Sequence, residues 1–130
     1  MLKELSISVQ VFYPKFDRQS LIHELEKRLG DLAQRLPLAL VVLFGSYALG
    51  NYTVASDIDL LVVYEGEQRE DAFATVKKTL DLPRLEPHVY TEAEYKLVKN
   101  SIRRMTAGGV VLFSKRKNFE ESRVQPPLDY

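Results

Sequence analysis

The chain has 130 residues and a mass of 14.9 kDa, with 45% apolar and 28% charged residues, which suits one domain with its own core and excludes wholesale disorder. Eighteen Lys and Arg balance eighteen Asp and Glu, and this zero net charge argues against a protein that grips nucleic acid through its phosphates. The absence of cysteine, with only His23 and His88 as histidines, excludes disulfide frameworks, thiolate zinc sites, cysteine nucleophiles and multi-histidine metal cages.

The chain opens Met1-Leu2-Lys3-Glu4, charged where a secretion signal needs an apolar stretch. Residues 4–13 alternate polar and apolar side chains, the pattern of a half-buried strand, and Pro14 ends it. Asp17 is placed to cap a helix in which Leu21, Ile22, Leu25, Leu29, Leu32 and Leu36 recur at helical spacing, with Glu24 and Arg28 paired on its wet face and Pro37 closing it. Leu38 to Phe44 is the longest uninterrupted apolar run, too short for a membrane span and right for a strand buried on both faces. The expected setting is therefore soluble and cytoplasmic, with no membrane partner.

Residues 46–56 read as a short helical turn and loop broken by Gly50, Asn51 and Ser56. A second buried strand runs from Asp57 to Tyr64. Glu65-Gly66-Glu67 turns into an amphipathic helix over 68–80, whose inward face is expected to carry Ala72, Phe73, Val76 and Leu80. A third strand spans 84–90. Pro87 cannot donate to a ladder, so this strand belongs near a sheet edge. Thr91-Glu92-Ala93-Glu94 is a capping box opening another helix, Gly108-Gly109 ends the helical region, and 110–113 forms a small final strand. Residues 114–130 are polar and read as a flexible tail after a single domain over 1–113; a solvated tail, more than an RNA contact, accounts for Lys115-Arg116-Lys117.

Of four acid-x-acid pairs, Glu24/Glu26, Glu65/Glu67 and Glu92/Glu94 fall in helices or a turn, where a solvated surface explains them. Asp57 and Asp59 differ because they lead directly into a buried strand. Period-2 alternation puts both on one face with Cα atoms roughly 6.5–7 Å apart, within reach of a shared cation. Two like charges beside a core repel, so a positive partner is expected. Gly45-Ser46 follows the other buried strand, where glycine lets backbone approach a ligand closely and exposed amides suit a phosphate.

Phe44-Gly45-Ser46, ten intervening residues, and Asp57-Ile58-Asp59-Leu60 together resemble the signature of the polymerase-β-like nucleotidyltransferase superfamily, and more closely its minimal nucleotidyltransferase (MNT) branch. Tyr47-Ala48, Gly50 and Ser56 add to the match, which is tight over 38–64 and looser to about Phe113. The resemblance implies an α/β (α+β) fold with a small mixed sheet flanked by helices. It implies that Gly45, Ser46 and Ser56 bind a nucleoside triphosphate, and that Asp57 and Asp59 hold magnesium. A third carboxylate is expected on a later strand. Leu85-Glu86-Pro87-His88-Val89 before Thr91-Glu92-Ala93-Glu94 also looks like MNT sequences, which makes Glu86 that third ligand and a candidate base. His88 shares its face with Glu86, where it reads as a structural histidine or as a contact to phosphate or acceptor; His23 reads as a surface residue. One departure stands out: Leu49 occupies a position where many family members carry Arg.

The implied activity is transfer of a nucleoside monophosphate, AMP from ATP, to an acceptor hydroxyl, with two magnesium ions serving when nucleotide is bound. The 17 residues after Phe113 are too few for an acceptor-gripping domain. The implied partner is a helical HEPN-type RNase, as in HEPN/MNT toxin–antitoxin pairs, and a homo-oligomer is also compatible. Two rival readings stay open. One is an MNT-fold module that neutralises a partner by contact alone, favoured by Leu49. The other is a metal-dependent nuclease, which leaves Gly45-Ser46 without a purpose.

Overall fold

The computed structural model describes residues 17–115, so the strand expected over 4–13 and residues 116–130 of the tail lie outside the described region. Chain order is α1 (Arg18–Arg35), β1 (Leu38–Phe44), α2 (Ser46–Leu49), β2 (Ile58–Tyr64), α3 (Ala72–Leu80), β3 (Leu85–Thr91), α4 (Glu92–Leu97), α5 (Lys99–Met105) and β4 (Val110–Ser114). The four strands form one mixed sheet in the order β3-β2-β1-β4. β1 runs antiparallel to β2 and β4, while β2 and β3 are parallel and need the α3 crossover between them.

β1 and β2 are apolar almost throughout because both of their faces are covered. On one face Val41, Leu43, Leu60, Val62, Leu85, Val110 and Leu112 pack against Leu21, Leu25, Leu29 and Leu32 of α1 and Ala72, Val76 and Leu80 of α3. On the other, Leu40, Val42, Phe44, Leu61, Val63 and Val111 meet Tyr95 of α4 and Ile102 of α5. Asp17 caps α1, accepting the Ser20 amide at 2.7 Å, and Glu24 and Arg28 pair at 2.7 Å as expected from their spacing. Arg28 also donates to the backbone carbonyls of Leu80 and Asp81, tying α1 to the end of α3.

Pro87 sits on β3, an edge strand, where its missing N–H breaks no ladder. Thr91 and Glu94 form the capping box, with reciprocal bonds of 2.9 and 3.0 Å. No helix among the described residues is long and apolar enough to cross a membrane.

Three expectations change. The helix expected over 68–80 begins at Ala72, because the preceding segment is strapped as a loop: Arg69 donates its amide to the Tyr64 hydroxyl at 2.9 Å and its guanidinium to Asp71. Phe73 then falls off the buried 72/76/80 stripe and is 50% exposed. The helical region after Thr91 is two short helices, divided where Val98 leaves helical geometry at φ −116°. β4 runs through Ser114, which is buried, and Lys115 pairs with Glu65 at 2.5 Å and Glu92 at 2.8 Å, so these two residues belong to the fold rather than to a solvated tail.

Candidate active site

The expected site residues come from four places in the chain and meet at one end of the sheet. β1 delivers Phe44 opposite Asp59 of the antiparallel β2. β2 delivers Asp59 directly beside Glu86, its register partner in the parallel β3. Neighbouring strands lie about 4.8 Å apart, so these two carboxylates share a face and are nearest neighbours across the ladder. Asp57 stands one step before β2 on the same side, and His88 follows Glu86 by two residues along β3. His88 is half-buried, with its ring 5.2 Å from that of Phe44 and tilted by 55°. His23 is exposed on α1, away from this group.

Gly45 sits where the chain leaves β1 with φ +80°, a conformation that suits glycine. A Cβ at this position would fall inside the Asp59 carboxylate, 3.1 Å from its Cγ. The missing side chain thus lets Asp59 lie flat against the Gly45-Ser46 turn. α2 begins at Ser46, closes on Gly50 in the left-handed conformation, and packs Tyr47 and Ala48 into the core. Tyr47 stacks on Tyr52 at 4.4 Å. Arg18 pins this unit from the far side: its Nε donates to the Ala48 carbonyl at 3.1 Å and its amide donates to the Tyr52 hydroxyl at 3.1 Å.

The loop before β2 is built by Ser56, whose Oγ accepts the Thr53 amide at 2.8 Å. This hydroxyl therefore has a backbone-shaping job beside any role at a nucleotide. Leu49 is 61% exposed at the end of α2, its Cδ2 lying against Gly108.

Electrostatics single out Asp59. Burial pushes its carboxyl above the ordinary carboxylate value; His88 pulls it back, while Asp57 and Glu86 raise it further. Asp57 and Glu86 therefore both act on Asp59, and the donor set is the all-oxygen kind that magnesium takes. Among the described residues no three acidic or histidine side chains are closed to metal-holding distance in this arrangement. Asp57 is instead turned toward Arg84, with 3.3 Å between Oδ1 and Nη2. The residues fit a divalent cation by chemistry and by shared face, with Asp59 and Glu86 adjacent and Asp57 held by an arginine. Sequence reasoning missed Arg84 and Arg18, because Arg84 meets Asp57 and Arg18 meets Ala48 and Tyr52 across long separations in the chain, and no local pattern marks them.

No curated protein matches the chain. Among solved structures, a Sulfolobus solfataricus protein described as a nucleotidyltransferase superposes with a TM-score of 0.53 at 23% identity, covering 78% of this chain and 86% of that one. A toxin–antitoxin solved with AMP-PNP gives 0.52 at 20% identity, covering 76% and 81%. A mutant of the toxin–antitoxin MntA-HpeT gives 0.51 at 18% identity with the same coverage. These likenesses show a shared fold, a mixed sheet with flanking helices. A family model for the nucleotidyltransferase domain matches residues 12–124, which spans the sheet and every site residue named above. The chain belongs to the nucleotidyltransferase domain family.

Proposed function

We propose that this protein is a magnesium-dependent nucleotidyltransferase that moves AMP from ATP to a hydroxyl of a partner protein. The observation that carries the reading is Asp59 lying against the Gly45 turn, with Glu86 as its register partner, in a chain of the nucleotidyltransferase family. Asp57 and Asp59 would hold the cation and Glu86 would complete its ligand set. Once bound, the cation would neutralise the triphosphate and the developing pyrophosphate. Gly45 and Ser46 would receive the phosphates, with Ser56 shaping the loop beside them.

In the transfer, the acceptor oxygen forms a bond to the α-phosphorus, the bond from that phosphorus to the bridging oxygen breaks, and pyrophosphate leaves with the electron pair. The hydroxyl proton passes to a Glu86 carboxylate oxygen, on an exposed side chain at the sheet edge. A HEPN-type helical protein is the proposed acceptor, in keeping with the toxin–antitoxin structures that share this fold.

The test uses labelled ATP with magnesium and a HEPN-type protein encoded beside this chain. Label should enter the partner, and the Asp57→Asn/Asp59→Asn double variant should lose at least about a hundredfold of that rate, the scale expected when the main charge-stabilising groups are removed. Undiminished transfer by the double variant would sink the reading. The exposed Leu49 favours a second reading in which the fold neutralises a partner by contact. Under that reading the double variant still neutralises the partner, and wild type transfers no label.

A further inference from the structure

Arg84 occupies a conformation that arginine rarely adopts. Its φ is +62°, in the left-handed region that favours glycine, and it is one of two non-glycine residues so placed among those described. Its side chain makes three contacts, all to the segment leading into β2. Nη2 donates to the Ala55 carbonyl at 2.6 Å, Nε donates to the Ser56 carbonyl at 3.2 Å, and Nη2 lies 3.3 Å from Asp57 Oδ1. Its own carbonyl accepts the Ile58 amide at 2.8 Å, the first bond joining β2 to the start of β3. One residue thus fastens the chain immediately before Asp59 to the chain immediately before Glu86.

Stability is a weak explanation for this arrangement. The ion pair is about half exposed on both sides (52% and 48%), where solvent screening leaves such pairs little net value. The backbone conformation is itself unfavourable for a residue with a Cβ. Strain kept beside a cluster of acids points to a role at that cluster. A guanidinium is a rigid planar fork, and here its hydrogen bonds to the Ala55 and Ser56 carbonyls fix the backbone that carries Asp57, while its charge faces Asp57 Oδ1 as an ion pair.

We propose that Arg84 is a positioning residue for the acidic site: by fastening the Ala55-Ser56 backbone and pairing with Asp57 Oδ1, it sets Asp57 so that Oδ2 is offered to a divalent cation shared with Asp59. This rests on the nucleotidyltransferase reading, in which these acids bind metal. Removing an outer partner of a ligating carboxylate typically changes metal affinity by about 10- to 100-fold.

The experiment measures binding of Mn2+ alone, by paramagnetic resonance or calorimetry, to wild type, Asp57→Asn, Arg84→Gly and Arg84→Lys, each with a thermal melt. Arg84→Gly is chosen because glycine relieves the positive φ while deleting the fork. Its melting temperature should stay within about 4 °C of wild type, a small shift for a domain of this size. Its Mn2+ affinity should fall about 10- to 100-fold. Arg84→Lys should recover only part of that loss, because an ammonium keeps the charge but cannot hold two carbonyls as a planar fork does.

A merely structural arginine would lower the melting temperature and leave Mn2+ affinity within about twofold of wild type, well short of the loss expected from a positioning role, which overturns the proposal. Tighter Mn2+ binding in Arg84→Gly overturns it too, since the ion pair would then be competing with the cation. If Arg84→Gly does not fold, full Mn2+ affinity in Arg84→Lys overturns the proposal in its place. Equal Mn2+ binding by wild type and Asp57→Asn would instead bring down the underlying metal reading, a failure distinct from the others.

Discussion

At the scale of single residues, Gly45 has little freedom to change. It combines a positive φ with a direction in which a Cβ would strike the Asp59 carboxylate. Gly45→Ala should cost roughly 1–3 kcal/mol in chemical denaturation, from backbone strain and displacement of Asp59 together. Nucleotide transfer should fall about a hundredfold, the scale of an ångström-sized misplacement of a reacting group. A variant with unchanged stability and transfer would show that the turn has slack. Gly45, Ser46, Asp57 and Asp59 were legible in the sequence because each stands where an apolar run starts or stops. Glu86 was legible only through resemblance, since a lone Glu on an edge strand carries no pattern. Arg84 was not legible at all, because what matters is a conformation and three distant contacts.

Elements were legible where burial imposes a strict period. β1 and β2 are buried on both faces and α1 carries an unbroken leucine stripe, so their ends were apparent within about a residue or two, inside the usual scatter of helix and strand boundaries. Where surroundings override local pattern, the reading slipped. α3 starts late because Tyr64 and Asp71 capture Arg69, and these contacts come from the strand before and the turn itself. The break at Val98 was invisible because the buried Tyr95 and Ile102 are seven residues apart, the same face whether the helix is continuous or interrupted. The capping box, by contrast, is a local motif and formed as written. Thr91→Ala should destabilise the protein by about 1 kcal/mol, seen as a lowered urea midpoint with unchanged slope. Thr91→Ser, which keeps the accepting oxygen, should recover most of it.

For the whole molecule, charge balance sets the response to acid. Ser20 amide donation to Asp17, the Arg28 guanidinium beside Glu24 and Arg69 beside Asp71 each hold a carboxyl below its ordinary value. Each group therefore releases its proton more readily in the folded chain than in the unfolded one. The stability they contribute is complete above the unfolded values of 3.8 for the aspartates and 4.5 for Glu24, and is lost as pH falls through the lower folded values. Melting temperature should hold steady from about pH 7 to about pH 5 and then decline. Glu24→Gln should make that decline shallower, and an unchanged profile would show that these pairs contribute nothing measurable.

The sequence by itself determined the strand–turn–loop–strand unit from Leu38 to Tyr64 and the face its acids share, because buried runs and period-2 alternation are properties of one segment. It also placed Pro87 on an edge, since a missing donor is local chemistry. Only the tertiary structure decided that β3 lies parallel to β2 with Glu86 level with Asp59, and that Arg84 reaches back to Asp57. Alternation says which face a side chain takes. Which strand becomes its neighbour, and at what register, depends on how α3 packs across the sheet, and that is set by the core as a whole.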